Sequence, residues 1–215
     1  RQDTMNPMKK FRWPAALALA AYALVGAATV HASTYPSKPI KLIIPYAVGG
    51  STDQTGRLMA KSLSERLGQA VVVENRAGAG GTLGQDFVAK ASADGYTLLF
   101  SAAGPLTVTP HTYAKLSYDP VKSFEPIALV ATQPLLLAVK PGLKADSVAE
   151  LIAQAKANPG KLSYGSFGNG SAAHLAGEYF KTLTGVDMVH VPYKGSGPAL
   201  VDLVAGYRVN RQLDI

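Results

Sequence analysis

The chain has 215 residues, a net charge of +7 at pH 7 and no cysteine. The absence of cysteine excludes disulfides, thiolate metal ligands and cysteine nucleophiles. The basic residues form no block interleaved with aromatic residues, so nucleic acid is a poor partner. A cysteine-free chain of this length has to be held together by the buried core of one domain or of two smaller lobes.

The first 32 residues have the pattern of an export signal. Basic residues directly follow Met8, residues 15–28 are almost wholly apolar, and residues 30–32 fit a signal peptidase site. The apolar run is shorter than the roughly 20 residues of a membrane-spanning helix, so a retained anchor is the less favoured alternative. We expect export to a periplasm, which suits a chain without disulfides. Removing these residues, with their four Lys or Arg and one Asp, lowers the net charge from +7 to +4.

Residues 40–53 predict a strand, a tight loop and the start of a helix. A run rich in β-branched residues ends at Pro45, glycines follow at Gly49 and Gly50, and residues 51–53 supply oxygens that favour helix starts. Glycine allows a ligand to approach the backbone, and a helix start presents unpaired N–H groups. The pattern fits a carboxylate or phosphate pocket and equally an ordinary turn between a strand and a helix.

Strands and helices alternate over the following fifty residues, and each predicted strand ends in a loop rich in small residues. This alternation predicts a parallel sheet, in which all strand ends share one edge. We therefore expect the loops to line one cleft. The predicted elements are a helix at Thr52–Leu67, a strand at Ala70–Glu74, a helix at Leu83–Ala91 and a strand at Tyr96–Ser101.

Periodicity fades over residues 105–126, which we interpret as a crossing to a second lobe. The loop at residues 164–171 is the densest in glycine and polar residues, and it leads into a helix, so each lobe offers a helix start among small residues. The predicted elements are strands at Ile127–Ala131 and Leu135–Val139, a helix at Ser147–Ala157, a strand at Leu162–Ser166, a helix at Ser171–Thr184, a strand at Val189–Val191 and a helix at Ala199–Ala205.

The sequence contains no familiar enzyme signature. Residues 78–84 have the spacing GxGxxxG instead of the dinucleotide-binding GxGxxG, and neither a GxSxG elbow nor a GxxxxGK[ST] loop occurs. His111, His174 and His190 lack ligand spacing, which argues against a metal site. Since no base, nucleophile and oxyanion set is in view, binding outweighs catalysis, and we expect no cofactor and no metal.

Two polar residues have two open interpretations each. Asp53 either accepts N–H groups of its own helix or points into the cleft and selects a ligand. His174, in the first turn after Ser171, either contacts a ligand or caps that turn.

Five motifs in order resemble the Bug family, the extracytoplasmic solute receptors of tripartite tricarboxylate transporters. Each motif alone is weak, but together they cover about residues 35–206 behind an export signal. The motifs are IPYAVGGSTD at residues 44–53, VENRAGAGG at 73–81, DGYTL at 94–98, YGSFGNGS at 164–171 with HLAGE at 174–178, and VPYKG at 191–195.

The resemblance implies an α/β fold, a two-lobed periplasmic binding protein of type II-like architecture with parallel-rich sheets flanked by helices. It implies a monomeric receptor that closes over a small carboxylate and delivers it to membrane transporter subunits, without catalysis. In the family, backbone N–H groups, small hydroxyls and ordered water hold the carboxylate. Carried over by motif, the ligand contacts are Tyr46, Gly49, Gly50, Asp53, Gly80 and Ala102 in the first lobe, and Ser166, Gly168, Asn169, Ser171, His174, Tyr193 and Gly195 in the second.

The resemblance also suggests how the chain is divided. We expect a signal peptide at residues 1–32 with a possible upstream extension, a first lobe at 33–104, a crossing at 105–126, a second lobe at 127–206 and a divergent tail at 207–215. Family members continue past this point with elements that complete the first lobe. We therefore expect an incomplete first lobe that exposes apolar edges, with doubtful stability and binding competence.

Two other functions stay open, and so does the ligand. The chain is alternatively an α/β enzyme acting on a small acid or nucleotide, or a truncated remnant without function. Among carboxylates, the sequence does not separate dicarboxylates, tricarboxylates, amino acids, nicotinate and aromatic acids.

Overall fold

A parallel sheet of three strands is the centre of the first part of the chain, with β1 between β2 and β3. The computed structural model describes residues 34–206, so the predicted export signal and the predicted tail lie outside the described residues. The strands are β1 at Ile40–Ile44, β2 at Val71–Asn75 and β3 at Thr97–Leu99.

Strand β1 is deeply buried. Ile40, Ile43 and Ile44 are 0% exposed, as is typical of a central parallel strand that is covered on both faces. Ile44 is the register partner of Asn75 in β2, and Ile43 is the partner of Leu99 in β3. All three strands therefore end at one edge, as the alternation of strands and helices predicted.

Helices and turns connect these strands. Helix α1, at Ser51–Leu67, is followed by Gly68, which has φ 65° and donates its N–H to Ser64 O at 3.1 Å. This left-handed C-terminal cap suits glycine because a side chain would be strained there. The elements are α1 at Ser51–Leu67, a 3₁₀ turn at Ala79–Gly81, α2 at Thr82–Ala89, a wide helical turn at Gly104–Val108 and α3 at Thr109–Thr112.

The second part of the chain contains a parallel pair of strands, β4 at Leu162–Ser166 and β5 at Met188–Pro192. Ser147 and Ser171 cap the helices that follow them, since each side chain accepts the N–H of the residue three positions later. The helices are α4 at Val148–Ala157, α5 at Ala172–Thr184 and α6 at Ser196–Val204. We call β1–β3 with α1–α3 the first lobe, and β4, β5 and α4–α6 the second lobe.

A small core holds the second lobe together. Ala155 from α4 is fully buried against Val186 and Met188, which lie in and just before β5. The partly buried apolar residues packed against this core are Ile152, Leu162, Tyr164 and Phe180.

The strands predicted at Ile127–Ala131 and Leu135–Val139 are wrong. Residues 124–140 have no regular secondary structure, and Leu129 and Leu136 are 83% and 85% exposed. An apolar run becomes a strand only when a neighbour completes its hydrogen-bond ladder, and no strand within residues 34–206 pairs with it. We call residues 127–139 the apolar segment.

Helix α5 also exposes apolar side chains. Leu175, Tyr179 and Leu183 share one face, as their spacing predicted, and this face is 52% to 66% exposed. A different set of α5 residues, including Ala176 and Phe180, lines an open groove of about 2580 Å³ together with the apolar segment. That volume exceeds the roughly 300–1,000 Å³ of small-ligand pockets, so the groove as a whole does not mark a small-ligand site.

The same substitution at two leucines tests whether the apolar segment lies free in solution. We expect Leu136→Ala to change the free energy of unfolding by less than about 0.5 kcal/mol. Leu151→Ala, in α4, is expected to lower it by about 2–5 kcal/mol because Leu151 is only 5% exposed. Urea titrations of both variants measure the difference. A loss from Leu136→Ala comparable with that from Leu151→Ala would show that the segment is buried.

Within residues 34–206, no helix combines the length and the apolar character needed to cross a bilayer. The same residues contain no group of His, Asp and Glu side chains placed to hold a metal ion.

Candidate functional site

The carboxyl ends of the two sheets face each other through loops rich in glycine. The loop after β1 meets the loop after β5, because Ala47 N donates to Lys194 O at 2.8 Å. The loop after β2 meets the loop after β4, where Gly80 approaches Gly168. Open α/β sheets bind ligands at this edge, so we take the paired loops as the candidate site.

The helices α1 and α6 start side by side at the first of these contacts. Ser51 N at the start of α1 donates to Ser196 Oγ at the start of α6, at 3.1 Å. A methyl group added at Gly50 would lie 2.6 Å from Ser196 Oγ and 3.1 Å from Gly197 N, so there is no room for a side chain at Gly50. The glycines that precede these helices provide no side-chain cap. Two partial positive charges therefore converge, an arrangement that favours an anion.

The second contact depends on glycine at Gly80 and Gly168. Their φ angles are 66° and 121°, in the region where a side chain is strained. A methyl group on Gly80 would collide with the carbonyl oxygen of Asn169, and one on Gly168 would lie 2.8 Å from the Cα of Gly80. Main chain therefore lies against main chain here, with no room for side chains.

Loop 167–171, which we call the β4 loop, also touches the end of the sheet beyond β3. A methyl group at Gly104 would lie 3.0 Å from the Cα of Ser171, and one at Gly170 would lie 2.9 Å from Thr109 Oγ1. Ser171 is 2% exposed and accepts the N–H of His174 at 3.2 Å. The start of α5 is thus a third helix N-terminus at the interface between the lobes.

Asp53 fixes the loop after β1. Its carboxylate is 3% exposed and accepts from Gly49 N at 2.9 Å, from Arg57 Nε at 3.0 Å and from Asn75 Nδ2 at 2.8 Å. Asn75 Nδ2 also donates to Tyr46 O at 3.0 Å. Burial raises the pKa of Asp53, but the bonds from Arg57, Gly49 and Asn75 outweigh it and bring the pKa below its ordinary value.

These bonds show what Asp53 and His174 contact within the protein. Both carboxylate oxygens of Asp53 have protein donors, so the residue shapes the loop in front of its helix. His174 Nδ1 accepts from Gly170 N at 3.3 Å, so the ring caps its turn. Both residues support backbone that faces the other lobe.

The predicted site residues are divided among these loops. Tyr46 is buried, which raises its pKa, and Tyr193 donates its hydroxyl to Asp202 Oδ2 at 2.8 Å. The structure brings Gly49, Gly50, Asp53 and Gly195 together on the β5 side, and Gly80, Ser166, Gly168, Asn169, Ser171 and His174 on the β4 side. Tyr193 joins the two sides, since its N–H donates to Ser166 O at 3.0 Å, and Ala102 lines the open groove described above.

Three further residues at the site were not predicted from the sequence. Asn75 ends β2 beside the end of β1, and the predicted parallel pairing would have placed it next to the loop that it holds. Ser196 begins α6, four residues after β5 ends at Pro192, and its polar character at a helix start was the available signal. His190 has no local signal, because its role depends on contacts with β4 and α5.

Ser166 and His190 have the distance of a nucleophile and its base, since Ser166 Oγ lies 2.7 Å from His190 Nε2. Ser166 is 0% exposed, and its Oγ also accepts from Gly168 N at 3.2 Å. The hydroxyl is buried and bonds to the β4 loop instead of lying at an accessible surface. The pair therefore supports the β4 loop.

Comparisons with known proteins agree with this architecture. Residues 55–213 match the family model described as the tripartite tricarboxylate transporter family receptor. Protein BugT of Bordetella pertussis is 48% identical over 181 residues, which are 84% of this chain and 56% of BugT.

Two solved structures resemble the fold. One, described as a periplasmic transporter, is 47% identical with a TM-score of 0.78, and the match covers 80% of this chain and 58% of that one. The other, R. palustris Rpa4515 with adipate, is 43% identical with a TM-score of 0.76, and covers 79% of this chain and 56% of that one. The predicted α/β periplasmic-binding-protein fold is confirmed, and the chain spans somewhat more than half the length of these relatives.

Proposed function

Because this chain belongs to the tripartite tricarboxylate transporter family of receptors, we propose that it binds a small carboxylate between its two lobes. In this proposal the receptor is exported by residues 1–32, works in the periplasm as a monomer, performs no catalysis and passes its solute to membrane transporter subunits. The proposed lobes are residues 33–104 and 127–206, joined by a crossing at residues 105–126; α3, which is grouped with the first lobe above, lies in this crossing.

The convergence of helix starts between the lobes carries the proposal. Helices α1, α5 and α6 all begin where the loops of the two lobes meet. Helix N-termini present backbone N–H groups and partial positive charge, which suit a carboxylate better than a cation or a neutral molecule. The glycines at the contacts bring the main chain close enough to donate directly.

The related protein Rpa4515 was solved with adipate, which supports a carboxylate as the class of ligand. Adipate carries a carboxylate at each end of an aliphatic chain. A cleft with helix starts on both of its walls provides donors for such a pair of charges. We therefore use adipate as the first probe, followed by malate, citrate, glutamate, nicotinate and benzoate.

Thermal unfolding with and without these acids tests the proposal. We expect at least one acid to raise the midpoint in a saturable way, equivalent to about 2.7 kcal/mol at a concentration of 100 times its dissociation constant. Adipamide, which has the shape of adipate without the charge, is the matched control and is expected to have no effect. Calorimetric titration checks the stoichiometry. Failure of every acid in both measurements would refute the proposal.

A further inference from the structure

Three aromatic rings of the second lobe stack behind the β4 loop. Tyr164 and His190 are register partners in β4 and β5, and their ring centroids lie 4.9 Å apart with 24° between the planes. His174 of α5 stacks on His190 at 4.0 Å and 19°. The stack ties together both strands and the helix of this lobe that follows the loop.

Each imidazole of the stack supports one glycine of the β4 loop. His190 Nε2 lies 2.7 Å from Ser166 Oγ, and Ser166 Oγ bonds with both the N–H and the carbonyl of Gly168 at 3.2 Å. His174 Nδ1 accepts from Gly170 N at 3.3 Å. That contact requires Nδ1 to be unprotonated, because a protonated ring nitrogen donates and cannot accept.

The supported glycines are those that meet the first lobe. Gly168 lies against Gly80, and Gly170 lies against Thr109 at the end of the first lobe. A shift of either glycine therefore changes the contact between the lobes. The two imidazoles lie outside this contact and act on it through the backbone.

The charged groups that shift the pKa of His190 lie on α5. Tyr164 donates its hydroxyl to Glu178 Oε1 at 2.6 Å, and Lys181 Nζ bonds to the same oxygen at 3.0 Å. Burial lowers the pKa of His190 most, and the charge of His174 lowers it further. Glu178 opposes this shift, and Lys181 adds to it. The lowered pKa favours the neutral form of His190.

We propose that His174 and His190 are positioning residues for the β4 loop, which they hold as neutral rings against the first lobe, and that protonation of His174 releases Gly170. The inference rests on the proposed function, because the β4 loop is part of the proposed carboxylate site. Its consequence is a receptor whose grip on the solute loosens when protonation takes the acceptor nitrogen of His174 away from Gly170.

Amide NMR of the full chain without ligand tests the positioning role directly. In a titration from pH 8 to pH 5, we expect the Gly170 amide resonance to move together with the ring resonances of His174. In His174→Phe, which keeps a stacking ring and removes Nδ1, this pH dependence is expected to vanish. His111→Gln, at an exposed histidine of α3, is the matched control and is expected to leave the titration of Gly170 unchanged.

The Ser166 contact is tested by two substitutions of His190. His190→Phe keeps the stack without a polar atom and is expected to shift the Gly168 amide and to lower adipate affinity about ten-fold, the loss of one good hydrogen bond. His190→Gln restores a polar group near Ser166 Oγ. We expect it to return the Gly168 amide resonance and the adipate affinity most of the way to their wild-type values. Thermal midpoints within a few degrees of wild type would show that the fold is intact.

The NMR readouts need no ligand, so they separate this inference from the proposed function. A Gly170 amide that does not follow the His174 ring, or that still titrates in His174→Phe, would overturn the inference even if adipate binds. Absence of adipate binding with an intact Gly170 titration would leave the positioning role supported and would count against the proposed function alone.

Discussion

Replacing Asp53 with asparagine is expected to lower the free energy of unfolding by about 3 kcal/mol and to weaken carboxylate binding. Each oxygen of the buried carboxylate faces donors: Oδ2 faces Gly49 N, Oδ1 faces Asn75 Nδ2, and Arg57 Nε lies 3.0 Å from both. Asparagine would place its NH₂ group against one of these donors in either orientation. The loop after β1 then loses its support.

The effect of Asp53 is expected to depend on pH. Although burial raises the pKa of Asp53, the hydrogen bonds to its carboxylate lower that pKa in the folded state. The ionised carboxylate therefore contributes its full stabilisation at any pH above the pKa of Asp in the unfolded chain, about 3.9. That stabilisation is lost as the pH falls below this value through the folded-state pKa. The difference in stability between wild type and Asp53→Asn is therefore expected to shrink below about pH 4.

Denaturant titrations of Asp53→Asn at pH 7 and pH 3 measure both effects. Asp94→Asn is the matched control, because Asp94 also accepts a backbone N–H, from Tyr96 at 3.0 Å, and pairs with Lys38 at 3.3 Å, but at the surface. Asp94→Asn is expected to lower the free energy of unfolding much less, since exposed ion pairs contribute little to stability. Equal losses in the two variants would contradict the role given to Asp53.

Replacing Gly80 with alanine is expected to weaken carboxylate binding about ten-fold or more beyond any loss of stability, because the added methyl group would keep the lobes apart. The methyl group would collide with the carbonyl oxygen of Asn169, which is main chain and has no other rotamer. Relief requires the β4 loop to move away from the first lobe.

Gly68→Ala separates this collision from backbone strain. Gly68 has φ 65° against 66° at Gly80, and a methyl group there meets nothing within 4 Å. Both variants are expected to lose about 1 kcal/mol of stability from the left-handed conformation, but only Gly80→Ala is expected to lose affinity. Calorimetric titration with adipate compares them. Equal affinities in the two variants would show that the lobes do not close at Gly80.

Elements with a local cause could be predicted from the sequence. Each of these signals depends on a few neighbouring residues: the β-branched run of β1, the capping serines at Ser147 and Ser171, and the glycine that stops α1 at Gly68. The elements that carry these signals begin and end within two residues of the predicted bounds. The shared edge of the three strands followed from their alternation with helices.

Features that depend on distant partners could not be predicted in this way. The apolar segment has the pattern of strands, but no strand within residues 34–206 pairs with it. The bonds of Asp53 to Asn75 and of His190 to Ser166 join residues 22 and 24 positions apart. Sequence placed Asp53, Ser166 and His174 near the site through a family resemblance, and their partners had to come from the structure.

The contact of the lobes on the β5 side has an energetic consequence. Two hydrogen bonds join the lobes there, from Ala47 N to Lys194 O and from Ser51 N to Ser196 Oγ. At about 0.5–1.5 kcal/mol each, they favour the shut arrangement over the parted one by about 5- to 150-fold. A contribution of this size from the β5 side is one that the binding free energy of a solute can match, so it opposes reopening of the cleft far less than unfolding of either half would.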